Sequence, residues 1–566
     1  MNITHCLRLG VFSLIVGLCL TGCGAQPTTP ASDDPLGRAI DALFEPWNRD
    51  DSPGAAVVVL QDGKPLYRKA FGLASLEDGT PITVDGTAFD IGSVSKQMTA
   101  YAAHLLASRG ELDLDADIRT VLPDLPSFGR PLTTRQLMLH TSGLREYLDL
   151  ATWYVAARDG ASGPHGQATV IEWLGDQREL NFEPGTSTRY TNTGYVLLAE
   201  VVAAASGRSF HDFMRDEVFR PLGMHDTRVR GYGVDGERLA TRSYGHAYRG
   251  VEAWWRGPYV RAEVEWATWG DGGVAATMGD LARWTEHLRL GERHPEVVAA
   301  MVERGRLNDG RSFDYGSGIR WMERWGVPIF GHGGSGTAFR SWALWVPDHA
   351  VTVVFSGNSF PGVLGLMPKL VETVFEHLDI GEPPVEVPVA EDLDAWVGHF
   401  ADDTLRGRLF FEDDLLTYHS SSNHIPVVVR TDDTFHIRDT EIRGVRGPDG
   451  RIDALRFFAG ADEVVMRRYE PVEDSVDERR AIAGSYRSPE LGLTLRVEAT
   501  DDGLDLVLPI GRFSFEVADG ERFYIVQGRP TSFAPVYDES GRILGLRLNL
   551  TRSRGVWLDR LDADVG

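Results

Sequence analysis

The chain has 566 residues, of which 42% are hydrophobic and 25% charged, a globular balance that excludes a wholly disordered chain, a fibrous repeat and a polytopic membrane protein. Its 57 cations stand against 82 acidic residues, a net charge of −25, which excludes a general nucleic-acid binder because phosphate contacts need clustered cations. Only Lys64, Lys69, Lys96 and Lys369 are lysines, so a site that needs an amine able to lose its proton has four candidates.

The three cysteines, Cys6, Cys19 and Cys23, all stand in the first segment. Arg8 precedes an apolar run over residues 11–20, shorter than the ~20 residues of a spanning helix but suited to an export signal. Leu20-Thr21-Gly22-Cys23 resembles the bacterial lipobox, which implies a signal peptide over 1–22 and a lipid on Cys23. The expectation is an exported lipoprotein facing the periplasm or cell surface, touching the membrane only through that lipid. With Cys23 modified no disulfide can form, so stability must come from core burial. Residues 23–34 lack apolar bulk and read as a tether.

Mixed α/β patterning runs over 35–380. Ala39, Ile40, Leu43 and Phe44 have helical spacing, and 55–60 and 66–71 read as a hairpin around Asp62-Gly63. Ser93 and Lys96 follow, three apart, so one helical turn puts them on one face. A serine at a helix N-terminus has backbone N–H groups near it for an oxyanion, and a neutral amine beside it can take its proton. Ser95 has no lysine three residues on, which favours Ser93 as nucleophile. Tyr190-Thr191-Asn192, read as an extended loop, aims a phenol and an amide at one point. Trp254, Trp255, Trp266 and Trp269 could line a substrate pocket. His332-Gly333-Gly334 stands just before a β-type run, where Gly334 would let a substrate approach a strand edge. Strands at 342–346 and 351–355 and a helix at 364–378 close the region. His140, His225 and Asp226 lack a third ligand at metal spacing, so no metal and no cofactor is expected.

Residues 381–392 read as a linker. Beyond them, short alternating runs and Gly turns predict an all-β tail in two units, 393–473 and 474–566, each a small antiparallel barrel or sandwich. Val397-Gly398-His399-Phe400 matches Ala483-Gly484-Ser485-Tyr486, and Gly450-Arg451-Ile452 matches Gly541-Arg542-Ile543.

The order S-x-x-K (Ser93, Lys96), Y-x-N (Tyr190, Asn192), H-x-G (His332, Gly334) resembles the serine β-lactamase and penicillin-binding-protein superfamily. The class C-like branch, with esterases, D-Ala-D-Ala carboxypeptidases and D-aminopeptidases, is the nearest likeness. Thr141-Ser142-Gly143-Leu144 and Pro221-Leu222-Gly223-Met224 add to it. The resemblance implies an α+β catalytic domain over 35–380, an antiparallel sheet flanked by helices plus a helical subdomain. It implies an acyl-enzyme on Ser93, Lys96 with Tyr190 as base, Asn192 as orienting amide, and an oxyanion hole from the N–H groups of Ser93 and Ser335. His332 would support Tyr190 or the leaving group. Many relatives acting on β-lactams carry K-T-G as the third motif; His332 in that place implies weak β-lactamase activity at most. The expected function is hydrolysis of a small amide or ester, such as a D-amino-acid peptide. The alternative is a penicillin-binding sensor or cell-wall-binding module that acylates without turnover.

Overall fold

The computed structural model describes residues 34–561 except 158–164, 231–243, 247–258, 263–265, 360–365, 384–387, 404, 413–414, 421–422, 438–439, 460–461, 473–474, 518–521 and 526–530. Cys23 with its export segment, Trp254, Trp255, the Trp266 side chain and part of the expected linker lie outside the described residues.

Helix α1 (Pro35–Phe44) starts on Asp34, whose carboxylate accepts the Gly37 N–H at 3.0 Å, with Pro35 in the first turn. Strands β1 (Ala55–Gln61) and β2 (Lys64–Phe71) follow, joined through Asp62 and Gly63 at φ of 51° and 72°. Four more strands come from the far end of the region: β3 (Arg320–Arg324), β4 (Val327–Ser335), β5 (Arg340–Val346) and β6 (Val351–Gly357). Together they make one antiparallel sheet in the order β3-β4-β5-β6-β1-β2.

The two-residue period of β1 sorts its side chains between two cores. Ala55, Val57 and Val59 pack with Ile40 and Phe44 of α1 and with Leu370 and Val374 of the closing helix Leu366–Leu378. Ala56 and Val58 face the opposite core. That core is built on α2 (Ser95–Ser108), α3 (Asn192–Ser206) and α4 (Met278–Leu290). Each such valine contributes ~1.5–3 kcal/mol on burial. Every α2 residue from Ser95 to Leu106 is buried, so the helix that follows Ser93 runs through the middle of the region.

The tail holds two eight-stranded antiparallel units. The first runs from Gly398–Ala401 to Asp462–Tyr469, and its first and last strands pair, His399 opposite Tyr469. It encloses one core around Trp396, Phe400, Leu409, Leu455 and Met466. The second, Gly484–Ser488 to Val556–Arg560, is a closed barrel. The matched sequence segments fall on equivalent strands: Phe400 and Tyr486 lie in the first strand of each unit, and Ile452 and Ile543 open the seventh.

The second barrel is welded to the catalytic region. Its core residues Leu493, Leu495 and Phe533 belong to one cluster with Leu150, Tyr154 and Trp173, and the last two rings stack at 4.8 Å. Beside them Arg145 and Glu490 form a buried ion pair, 1% and 5% exposed. A barrel loop at 551–555 thereby reaches the catalytic region.

Candidate active site

A tight turn, Gly92–Val94, feeds α2 and presents Ser93, half-buried, ahead of the helix N-terminus. Asp90 shapes this turn: its Oδ1 accepts the Gly92 N–H at 2.9 Å, and its Oδ2 pairs with Arg230. β3 pairs with β4 only over Val327–Gly331, which leaves the edge of β4 from His332 to Ser335 open, and the Ser93 turn packs there. The fit demands glycine twice. A Cβ on Gly334 would sit 1.9 Å from the Ile91 carbonyl oxygen, and one on Gly92, at φ +50°, would sit 2.6 Å from the Ser335 nitrogen. Gly334 is therefore required by the approach of the serine turn itself. The seam sets the backbones of Ser93 and Ser335 side by side, and both residues line a cavity of about 120 Å³ with Asn192, Asp271 and Arg230.

Lys96, fully buried, extends back from the first turn of α2. Its Nζ lies 2.7 Å from Asn192 Oδ1, 2.6 Å from the Asp271 carbonyl oxygen and 3.0 Å from Ser93 Oγ. The first two partners can only accept, so they take two N–H bonds of the amine. The remaining valence of Nζ is directed at Ser93 Oγ. Ser95, the sequence near-duplicate, is buried and its Oγ accepts the Val274 N–H at 3.3 Å.

Asn192 is the first residue of α3, with Thr191 as N-cap, so the expected extended loop ends one residue earlier. The amide orientation is fixed by Glu146, which is fully buried. The Glu146 carboxylate accepts the Asn192 backbone N–H at 2.5 Å, its side-chain Nδ2–H at 3.1 Å and the Leu148 N–H at 3.2 Å. A carboxylate takes only donors, so Oδ1 must be the atom that faces Lys96. Glu146 carries no signal at the level of sequence, since nothing in its spacing relates it to Asn192.

Tyr190 is buried, and its ring is faced by three cations: Lys96 Nζ at 5.0 Å, and the guanidinium groups of Arg552 at 5.0 Å and Arg320 at 5.6 Å. Arg552 arrives from the barrel loop. That loop is held by Asn181, whose Nδ2 donates to the Arg552 carbonyl at 2.9 Å, and by Ser553, whose Oγ accepts the Glu146 N–H at 3.1 Å.

His332 lies inside β4 rather than ahead of a strand, and it is buried. Its ring is 6.1 Å from that of Tyr190, while its Nε2 hydrogen-bonds the Tyr315 hydroxyl at 3.2 Å. The same hydroxyl bonds His140 Nε2 at 3.2 Å, and His140 Nδ1 accepts the Thr191 N–H at 3.2 Å. Burial first, with the charges of Arg320 and Lys96 adding, holds His332 well below the usual imidazole range. Burial followed by the charge of Lys96 does the same for His140. With both rings neutral, one arrangement satisfies the chain. His140 Nε2–H donates to the Tyr315 oxygen, Tyr315 O–H donates to His332 Nε2, and His332 Nδ1–H donates to the Gly333 carbonyl at 2.6 Å. This relay joins the Tyr190–Asn192 segment to the open edge of β4. Tyr315→Phe removes the bridge and strands two buried ring nitrogens. The expected result is a loss of about 2 kcal/mol in stability, read by denaturant melts, with reduced turnover.

Trp269 does not line the cavity. It packs edge-on against His211 at 4.8 Å, and its backbone N–H donates to Gln167 at 3.1 Å. The cavity wall in this segment carries Asp271. It is buried, its Oδ2 accepts from Tyr147 at 3.0 Å, and its Oδ1 has no hydrogen-bond partner among the described residues. Burial raises its carboxyl to about 6 against the pull of Lys96.

A family profile described as Beta-lactamase matches residues 39–368, more than half of the chain. The chain belongs to the beta-lactamase family. Among relatives of this family, the D-aminopeptidase of Cereibacter sphaeroides is 27% identical over 550 residues, covering 93% of this chain and 98% of that protein. The D-aminopeptidase of Brucella anthropi is 25% identical over 535 residues, covering 89% and 94%. Both alignments run through the β tail. The octameric penicillin-binding protein homologue from Pyrococcus abyssi shares the fold, with TM-score 0.53 and 19% identity over 93% of this chain and 100% of that one.

Proposed function

We propose that this beta-lactamase-family hydrolase acts through an acyl-enzyme on Ser93 and cleaves amides whose acyl part is a D-amino acid with a free amino group. One observation carries the reading: two obligate acceptors, Asn192 Oδ1 and the Asp271 carbonyl, hold Lys96 with its remaining valence on Ser93 Oγ. Ser93 Oγ attacks the acyl carbon and passes its proton to Lys96. The N–H groups of Ser93 and Ser335 receive the oxyanion, supported by the positive end of α2. The Ser93 ester forms as the amine leaves with a proton, and water then releases the D-amino acid. Asp271 supports the free-amine part: the residue lines the cavity, and its buried Oδ1 has no hydrogen-bond partner among the described residues, which suits an ammonium group. The D preference rests on the names of the two relatives. A neutral His332 where β-lactam-active relatives carry lysine supports slow cephalosporin turnover.

The test sets D- and L-alanine p-nitroanilides, a short nitrophenyl ester and a chromogenic cephalosporin side by side. Preference for the D-anilide by about 100-fold is expected. Equal rates on both enantiomers would overturn the D-amino-acid reading. A stable Ser93 adduct without turnover, seen by mass spectrometry, would favour the sensor alternative.

The raised Asp271 carboxyl sets a pH limb. Above about 6 the group is ionised and can hold an ammonium; as pH falls through about 6 it protonates and KM for an amine-bearing substrate rises. Because the folded value lies above the unfolded one, ionised Asp271 costs stability at high pH, and that cost vanishes in acid. Asp271→Asn is expected to raise KM at pH 8, to flatten its pH dependence, and to raise Tm at pH 8 but not at pH 4.

A further inference from the structure

Three consecutive residues, Arg145, Glu146 and Tyr147, send their side chains to three different places. Arg145 goes to the second β unit: its guanidinium pairs with Glu490, and its Nε–H donates to the Arg554 carbonyl at 3.1 Å. Glu146 goes to the nucleophile, through the two bonds it accepts from Asn192. Tyr147 goes to Asp271, whose Oδ2 accepts its hydroxyl at 3.0 Å. The backbone of this segment is gripped from two sides. On one side Thr193, next to Asn192, donates its hydroxyl to the Arg145 carbonyl at 2.7 Å and accepts the Tyr147 N–H at 2.9 Å. On the other stands Ser553 of the barrel loop, fully buried, whose Oγ accepts the Glu146 N–H at 3.1 Å and donates to the Glu146 carbonyl at 3.4 Å. Asn181 clamps that loop in turn: its Nδ2–H donates to the Arg552 carbonyl at 2.9 Å, and its Oδ1 accepts the Arg554 N–H at 2.7 Å.

We infer that Ser553 is a positioning residue for hydrolysis at Ser93, which makes the second β unit a working part of the active site. This role rests on the acyl-enzyme proposed above and not on the choice of amide. The path from Ser553 to the nucleophile is a run of hydrogen bonds: Ser553 to Glu146, Glu146 to Asn192, Asn192 to Lys96 and Lys96 to Ser93. Lys96 Nζ stays on Ser93 while Asn192 Oδ1 holds it, and Glu146 sets that amide. Among the described residues the Glu146 N–H has no partner besides Ser553, so the catalytic region leaves this donor for the barrel to satisfy. Without Ser553 the buried N–H must shift to find another acceptor, and the Glu146 carboxylate shifts with it. A displacement of ~1 Å at reacting groups can lower a rate by roughly 100-fold, so a fraction of that movement is enough to be read.

The test measures, in the full-length protein, the second-order rate of fluorophosphonate labelling at Ser93 by mass spectrometry. Alongside it runs kcat on whichever substrate the native chain turns over. Ser553→Ala is expected to lower both by about tenfold with the circular dichroism spectrum retained. Asn181→Ala, at a half-buried position, loosens the same loop and should lower them by about threefold. The decisive arm is a double-mutant cycle with Asn192→Ala. Once the amide is gone, the loss from Ser553→Ala should shrink to less than about twofold, because the path runs through that amide. Should Ser553→Ala fail to fold, Asn181→Ala carries the same cycle. Labelling within about twofold of native in the folded variants overturns the role. Equal losses in the native and Asn192→Ala backgrounds overturn it as well, since the loop would then be a structural support alone. Labelling needs no amide, so a wrong choice of substrate leaves this result intact. Absence of label on Ser93 in the native chain would instead overturn the acyl-enzyme, and the role of Ser553 with it.

Discussion

Ser93→Ala is expected to lower kcat/KM by roughly 10⁴- to 10⁶-fold, the scale seen when a serine nucleophile is removed, with Tm nearly unchanged. The reasoning on stability is local. Ser93 is half-buried, and the deleted hydroxyl meets Lys96 Nζ, which keeps its bonds to Asn192 and the Asp271 carbonyl. No buried partner is stranded, so the cost is about 1 kcal/mol or less. Activity within tenfold of the native chain, on any substrate it turns over, would remove Ser93 from the nucleophile role. A fluorophosphonate label read by mass spectrometry checks the same point independently, since it should fall on Ser93 and vanish in the variant.

The second large effect concerns Lys96 and differs in kind, because activity and stability fall together. Lys96→Met keeps the length of the side chain but leaves Asn192 Oδ1 and the Asp271 carbonyl without their donor in a buried setting. Each stranded acceptor costs ~1–3 kcal/mol, offset in part by the apolar side chain. Removal of a general base lowers turnover by roughly 10²- to 10⁴-fold. Lys96→Arg separates charge from chemistry. It offers N–H donors to the same acceptors, yet a guanidinium cannot give up its proton near neutrality. Loss of turnover with Tm retained in Lys96→Arg would assign the proton transfer to the amine. Turnover above a tenth of the native value would move the base role to Tyr190.

These two experiments probe the part of the site that was legible in the sequence. Ser93 and Lys96 are three apart at the head of a buried helix, and 3.6 residues per turn suffices to predict their meeting. Asn192 and the glycines of β4 were legible as motif positions, although the reason for Gly334 was not: a carbonyl of the serine turn occupies the space of its side chain. Of the four tryptophans only the Trp269 side chain is among the described residues, and it turns toward His211 rather than the cavity, because composition shows that a segment is aromatic but not which way a ring points.

What the sequence by itself determined is what repeats within one element or one short segment. β-rich runs at 55–60 and 351–355 marked strands, whose side chains split between two cores. Matched Gly and aromatic positions marked the two β units, and the first and seventh strands of each bear those positions. What only the tertiary structure decided is the environment of the reacting atoms. Glu146 behind Asn192, the Tyr315 bridge between His140 and His332, the buried Asp271 Oδ1 without a hydrogen-bond partner among the described residues, and Arg552 over Tyr190 come from loops and strands far apart in the chain. Arg145 and the Arg554 carbonyl, 409 residues apart, meet at 3.1 Å. Such contacts leave no period to read. They are set by how the barrel core closes over Tyr154 and Trp173, and that packing brings a loop beyond residue 550 to the active site.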